Sequence, residues 1–133
     1  AGVIDCVSTD HAPHTIQDKE VEYVYAANGI SGLETAAPLI WTNFVATGLM
    51  TVEDMARVMS QRPAEILGIE KGTLQAGRMA DIVVLDPDTE KAVDNGQFYS
   101  KGKNTPFQGM QLKGWPELVV KGGRIVLEQG VLC

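Results

Sequence analysis

The chain has 133 residues and a net charge of −6, with 11 lysines and arginines against 17 aspartates and glutamates. A complete (β/α)8 barrel needs roughly 250 residues, so this length excludes one. The acidic balance, without any basic block, argues against a nucleic-acid partner. No run of sequence approaches the ~18–20 apolar residues of a membrane span, so we expect no membrane partner either.

The first candidate element is a short apolar run, residues 3–7, which ends in Ser8, Thr9 and Asp10. Such a run is typical of a strand buried on both faces of a parallel sheet. A five-residue strand is not stable without neighbours. No other run nearby matches it as a parallel partner, so we expect upstream sequence to supply the pairing.

Helix signals dominate the middle of the chain. Ser31 and Glu34 have the spacing of a capping box, which predicts a helix that begins there. Pro38 lies beyond the first turn and should bend this helix. Thr51 is expected to begin a second helix, and a short third helix is predicted over residues 63–67, with proline as its first residue.

Strand signals dominate the remainder. Residues 80–85 form an apolar run that predicts a strand, and the pair Gly122–Gly123 between two apolar runs is typical of a two-residue hairpin turn. The chain therefore divides into residues 1–69, with one strand and several helices, and residues 70–133, built mostly of strands.

Cysteine usage bears on the cellular compartment. Cys6 lies in the apolar run and Cys133 is the last residue, so the two are far apart in sequence. Two such cysteines are not a disulfide framework. They predict free thiols and a cytoplasmic, reducing location.

Both histidines belong to one pentapeptide, Asp10 to His14, directly after the predicted strand. In parallel α/β folds, the loops after the carboxyl ends of strands build the active site, where a carboxylate can activate water or bind a metal. The same residues could instead be a turn cap and two surface histidines, and spacing alone leaves both readings open. We do not expect a self-contained zinc site, because zinc needs about three or four converging ligands.

Several stretches, taken together and in order, resemble the bacterial class I dihydroorotases. They are STDHAPH at residues 8–14, NGISGLETA at 28–36 and NTPFQG at 104–109, while residues 63–68 and 71–83 are similar to the tail shared by cyclic amidohydrolases. The resemblance implies an α/β fold that forms the C-terminal part of a (β/α)8 TIM-like amidohydrolase barrel plus a small β-sandwich domain. Residues 1–69 would be the last strand and C-terminal helices of the barrel. Residues 70–133 would be the sandwich and tail, and the whole chain about a third of its working unit.

The resemblance also implies an activity, the zinc-dependent reversible cyclisation of N-carbamoyl-L-aspartate to L-dihydroorotate in pyrimidine biosynthesis. Asp10 matches an aspartate that ligates zinc and shuttles a proton, and His14 matches a histidine that binds the substrate carboxylate. Asn28 and Gly29 match a pair whose backbone contacts the substrate, although position 28 is often Phe in the family. Two zinc ions are expected per full-length subunit, with most ligands upstream, so the fragment alone is predicted to be inactive.

Two alternatives stay open. Another cyclic amidohydrolase, such as an allantoinase or a hydantoinase, would share the Asp-His motif and the tail; the segments NTPF and GLET favour a dihydroorotase. A non-catalytic dihydroorotase-like assembly partner is the second, and the presence of Asp10 and His14 argues against it. The expected partner is a small-molecule substrate, and the resemblance leaves open a homodimer and an association with aspartate transcarbamoylase.

Overall fold

Helices fill the first half of the chain in the computed structural model, which describes residues 2–133. They are α1 (Ile16–Lys19), α2 (Leu33–Ile40), α3 (Val52–Ala56) and α4 (Arg62–Leu67), with π-helical segments at Trp41–Val45 and Arg57–Gln61. The predicted start at Thr51 is confirmed, since its side chain accepts a hydrogen bond from the backbone of Asp54 in a capping box. Gly68, at a φ of 65°, ends α4.

The two prolines of these helices lie next to the π-helical segments. Pro38 is buried inside α2, and the helix widens into the π-helix three residues later. Pro63 lies in the first turn of α4, immediately after the second π-helix. Since proline lacks the N–H that an α-helix uses, the regular ladder is interrupted nearby. The irregularity expected at Pro38 therefore appears as a change in helix type, and a second such change precedes Pro63.

The strand predicted at residues 3–7 is not formed, which corrects that expectation. The side chains of Val3 and Ile4 are 85% and 70% exposed. The backbone N–H of Val7 donates to the carbonyl of Val58 at 3.0 Å, but no strand within residues 2–133 lies alongside. A strand buried on both faces needs a ladder partner on each side, and the described residues provide none.

Six strands build two antiparallel sheets in the second half. They are β1 (Ile82–Asp86), β2 (Lys91–Ala92), β3 (Gln111–Leu112), β4 (Trp115–Lys121), β5 (Arg124–Glu128) and β6 (Val131–Leu132). One sheet has the order β1-β4-β5-β6, and the other pairs β2 with β3. The predicted hairpin is confirmed: Gly122 and Gly123, at φ values of 57° and 78°, join β4 to β5, as a turn with two positive φ angles requires.

The strand region, residues 82–132, packs directly onto α2 and the π-helical segment that follows it. Val93, Phe98 and Leu112 form a buried apolar cluster, which Leu39 of α2 contacts. The hydroxyl of Thr42 accepts a hydrogen bond from the backbone of Lys113 at 2.8 Å. This contact fixes the position of α2, and the N-terminus of α2 lies at the candidate site.

No helix within residues 2–133 combines the length and the apolar character that crossing a membrane would require. Both cysteines are free thiols, Cys6 half-buried and Cys133 exposed.

The turn after β1 predicts a pH dependence of stability. The carboxylate of Asp86 accepts hydrogen bonds from the Thr89 side chain and from the backbone N–H groups of Asp88 and Thr89, at 3.0 and 3.1 Å, and its pKa falls to about 2. Because the pKa is lower in the folded than in the unfolded state, this contribution is present above pH ~4 and is lost as the pH falls through 2.

We therefore expect Asp86→Asn to flatten the decline in thermal midpoint between pH 5 and pH 2, measured by circular dichroism. Asp88→Asn is the matched control, since that carboxylate accepts none of these hydrogen bonds. A decline as steep in Asp86→Asn as in the wild type would contradict the assignment.

Candidate active site

The predicted site residues come together through a short parallel pairing between two loops. His11 pairs with Ile30, and the backbone N–H of Ala12 donates to the carbonyl of Ile30 at 3.0 Å. We call residues 10–14 the aspartate loop and residues 28–30 the glycine turn. The pairing places the loop that carries Asp10 and His14 beside the turn that carries Asn28 and Gly29.

The glycine turn approaches the aspartate loop too closely for any residue but glycine. Gly29 has a φ of +107°, and a Cβ atom built on it would lie 2.6 Å from the Cβ of Ala12. Both the positive φ and the lack of space exclude a side chain. The identity of position 29 is therefore fixed by this contact.

His11 anchors the aspartate loop to the N-terminus of α2. Its Nδ1 accepts hydrogen bonds from the backbone N–H groups of Gly32 at 3.1 Å and Leu33 at 3.3 Å. An acceptor at Nδ1 means that the neutral ring carries its hydrogen on Nε2. Sequence reasoning gave His11 no role, and nothing in its local spacing pointed to this cap.

The capping box predicted for Ser31 and Glu34 is wrong, since Gly32 is the N-cap and no side chain of α2 caps it. Both side chains instead bind residues 100–104, which we call the brace. The hydroxyl of Ser31 donates to the carbonyl of Gly102 at 2.5 Å, and Glu34 accepts from the backbone N–H of Ser100 at 2.8 Å. These partners lie 71 and 66 residues away in sequence, so local spacing could not reveal them.

Two opposing effects act on the pKa of the Glu34 carboxyl. Burial raises the pKa of its carboxyl, but the hydrogen bonds from Ser100 and the nearby His11 outweigh burial, so its pKa is lowered overall. One carboxylate oxygen is buried with no hydrogen-bond partner in the described residues. Glu34 borders a cavity of about 390 Å³ that Tyr99 and Trp115 also line. Neither Asp10 nor His14 borders this cavity, so it is separate from the aspartate loop.

The side chains of the predicted site residues are open to approach. Asp10 is exposed at a positive φ of 45°, a conformation that aspartate tolerates better than most residues. The carboxylate of Asp10 makes no hydrogen bond within residues 2–133, while His14 is half-buried and Asn28 is exposed. His14 lies close enough to Asp18 to contribute to its lowered pKa, whose main cause is the hydroxyl and backbone N–H of Thr15.

Metal ligands are incomplete in this part of the chain. No group of three His, Cys, Asp or Glu side chains within residues 2–133 is arranged to hold a metal ion. The carboxylate of Asp10, which no residue in 2–133 hydrogen-bonds, could be one ligand, but the Nδ1 of His11 is already occupied by two N–H donors. The described residues therefore do not fit a complete zinc site, which needs about three or four ligands.

Comparison with known proteins gives the family context. Residues 1–126 match the model of the amidohydrolase family. The chain is 50% identical to a dihydroorotase of Pelotomaculum thermopropionicum over 131 residues. This alignment covers 98% of this chain and 31% of that protein. It is 48% identical to a dihydroorotase of Anoxybacillus flavithermus, over 97% of this chain and 30% of that protein.

Solved structures of related enzymes have the same fold over the length of this chain. The chain is similar to an L-hydantoinase (dihydropyrimidinase) of Arthrobacter aurescens, with a TM-score of 0.94 and 41% identity over 99% of this chain and 30% of that one. A D-hydantoinase of Thermus sp. gives a TM-score of 0.92 at 27% identity, with the same coverage. The chain thus spans about 30% of the length of these relatives. The predicted fold class, part of an amidohydrolase barrel with an adjoining small β domain, is confirmed, and the chain belongs to the amidohydrolase family.

Proposed function

We propose that this chain is part of a dihydroorotase, in which it supplies an aspartate for proton transfer and a backbone turn for substrate binding. The reaction is the reversible cyclisation of N-carbamoyl-L-aspartate to L-dihydroorotate in pyrimidine biosynthesis. The observation that carries the proposal is the pairing of His11 with Ile30, which brings the aspartate loop and the glycine turn together. Identity of 50% to a dihydroorotase over 98% of this chain supports it.

Asp10 is the proposed general acid and base. When the dihydroorotate ring opens, a water molecule attacks the ring carbonyl carbon, the C–N bond breaks and the departing nitrogen must gain a proton. A carboxylate beside the attacking water can accept its proton and return it to that nitrogen. The carboxylate of Asp10 is exposed and makes no hydrogen bond to the residues that the structure describes, which leaves it available for this role.

Substrate binding is assigned to the residues around the glycine turn. The substrate carries carboxylate groups, which are bound well by a histidine and by free backbone N–H groups. His14 would bind one carboxylate through its imidazole, and Asn28 and Gly29 would contact the substrate through their backbone. The side chain of Asn28 has no part in this proposal.

Zinc belongs to the proposal, with two ions per full-length subunit and Asp10 as the ligand from this chain. The other ligands would come from polypeptide outside these 133 residues. We therefore expect the isolated chain to show no tight zinc binding in isothermal titration calorimetry, and no turnover of carbamoyl-aspartate. Asp10→Ala in the same chain is the matched control and should give the same weak heats. Tight binding of one or two zinc ions by the isolated chain would contradict this prediction.

A hydantoinase is the second candidate, favoured by the TM-score of 0.94 and 41% identity to an L-hydantoinase. Assays of the complete enzyme on dihydroorotate and on hydantoins distinguish the two activities. The division into residues 1–69 and 70–133, a cytoplasmic location, a homodimer and an association with aspartate transcarbamoylase stay predictions. Asp10 and His14 support a catalytic protein over a purely structural partner.

A further inference from the structure

The side chain of Lys19, on the short helix α1, reaches the glycine turn. Its Nζ donates to the carbonyl of Ala27 at 2.5 Å and to the carbonyl of Gly29 at 2.9 Å. The helix that carries it is fixed by a capping box, in which the hydroxyl of Thr15 accepts from the backbone N–H of Asp18 and the carboxylate of Asp18 accepts from the backbone N–H of Thr15, both at 3.2 Å. The half-buried ammonium group therefore bridges two carbonyls of the segment that leads into the proposed substrate site.

A second side chain converges on the same carbonyl from the brace. The Nδ2 of Asn104 donates to the carbonyl of Gly29 at 3.3 Å. The backbone carbonyl of Asn104 in turn accepts from the N–H of Ser31 at 2.8 Å. Since a peptide unit is planar, two donors on the Gly29 carbonyl fix the orientation of the whole unit between Gly29 and Ile30.

The fixed turn leaves two backbone donors free. The N–H groups of Asn28 and Gly29 make no hydrogen bond within residues 2–133. Successive free N–H groups next to a residue of positive φ form a concave anion-binding surface. Glycine is conformationally permissive, so this surface depends on contacts that hold the turn in one conformation.

We propose that Lys19, assisted by Asn104, is a positioning residue for substrate binding. Its bond to the Ala27 carbonyl fixes the peptide unit that carries the N–H of Asn28, and its bond to the Gly29 carbonyl fixes the next end of the turn. Held at both ends, the turn presents the free N–H groups of Asn28 and Gly29 to the anionic substrate. The proposal rests on the proposed function, since it takes the glycine turn to be the substrate contact. Lys19 acts through the backbone that it holds, and it has no part in proton transfer.

The test is steady-state kinetics of the complete enzyme on dihydroorotate with four variants. Lys19→Met keeps the aliphatic stem and removes the donor, so KM should rise about tenfold, equivalent to ~1.4 kcal/mol of binding, while kcat stays within about threefold. Lys19→Arg keeps a charged donor and should restore KM to within about threefold of the wild type. Lys121→Met, the same change on an exposed lysine of β4, is the control and should leave both constants unchanged.

Asn104→Ala keeps the test decisive if Lys19→Met does not fold. It should raise KM about threefold with kcat unchanged, because Lys19 still holds the carbonyl. An unchanged KM in the folded Lys19 variant, a loss confined to kcat, or an arginine variant as impaired as the methionine variant would overturn the proposal. If the wild-type enzyme hydrolyses hydantoins and not dihydroorotate, the proposed function fails. The affinity of the same variants for the N-carbamoyl amino acid that hydantoin hydrolysis yields, which carries a carboxylate, then decides whether Lys19 positions the turn.

Discussion

We expect Asp10→Asn in the complete enzyme to lower kcat by about 10²–10⁴-fold, the usual contribution of a positioned general acid or base. The amide is nearly the same size as the carboxylate but cannot accept the proton of the attacking water. Asparagine also tolerates the positive φ of 45° at this position, so the loop should keep its conformation. The measurement is turnover in both directions, with the thermal midpoint as the check on folding.

Asp88→Asn makes the same chemical change at an exposed aspartate in the turn after β1. It should leave kcat within about twofold of the wild type, since surface substitutions away from the site have small effects. Near-normal turnover in Asp10→Asn would remove the role that we assign to Asp10. Equal losses in both variants would point to a general effect of the substitution rather than to proton transfer.

We expect Gly29→Ala to destabilise the glycine turn strongly. Its Cβ would lie 2.6 Å from the Cβ of Ala12, and residues with a side chain rarely adopt its φ of +107°. Backbone strain of ~1–2 kcal/mol and overpacking of ~1–3 kcal/mol predict a total destabilisation of about 2–5 kcal/mol. Because Ala12 belongs to the aspartate loop, the displacement should also raise KM for the substrate.

Gly109→Ala separates the two causes. Gly109 also has a positive φ, +79°, but a Cβ added there would meet no atom within 4 Å. It should cost about 1–2 kcal/mol and leave KM unchanged, because only backbone strain is involved. Thermal midpoints of the two variants of the complete enzyme, with their KM values, provide the comparison. Equal midpoints would show that the contact with Ala12 is not tight in solution.

Local signals in the sequence predicted the local structure well. Thr51 forms a capping box with a residue three positions later, and the Gly122–Gly123 turn joins neighbouring strands, so each pattern carries its own partner. The apolar run at residues 3–7 failed for the opposite reason. No strand within residues 2–133 pairs with this run, and the side chain of Val3 is exposed.

The positions of the candidate site could be proposed from the sequence, but the contacts that hold them together could not. The pattern around Asp10, His14, Asn28 and Gly29 was recognisable as a set, and the structure brings its two halves together. The brace was missed, because Ser31 and Glu34 bind residues more than 60 positions away rather than each other. Hydrogen bonds across such a separation depend on the packing of the strand region onto α2, which no local pattern encodes.

We propose that this chain belongs to an enzyme whose glycine turn and aspartate loop act on dihydroorotate. The most direct measurement is kcat/KM of the complete, zinc-loaded enzyme on L-dihydroorotate, a simple hydantoin and allantoin under one set of conditions. We predict that dihydroorotate is preferred by at least about 100-fold, because only a substrate with a carboxylate uses His14 and the free N–H groups of the turn. Preferred turnover of the hydantoin or allantoin, with dihydroorotate untouched, would contradict the account.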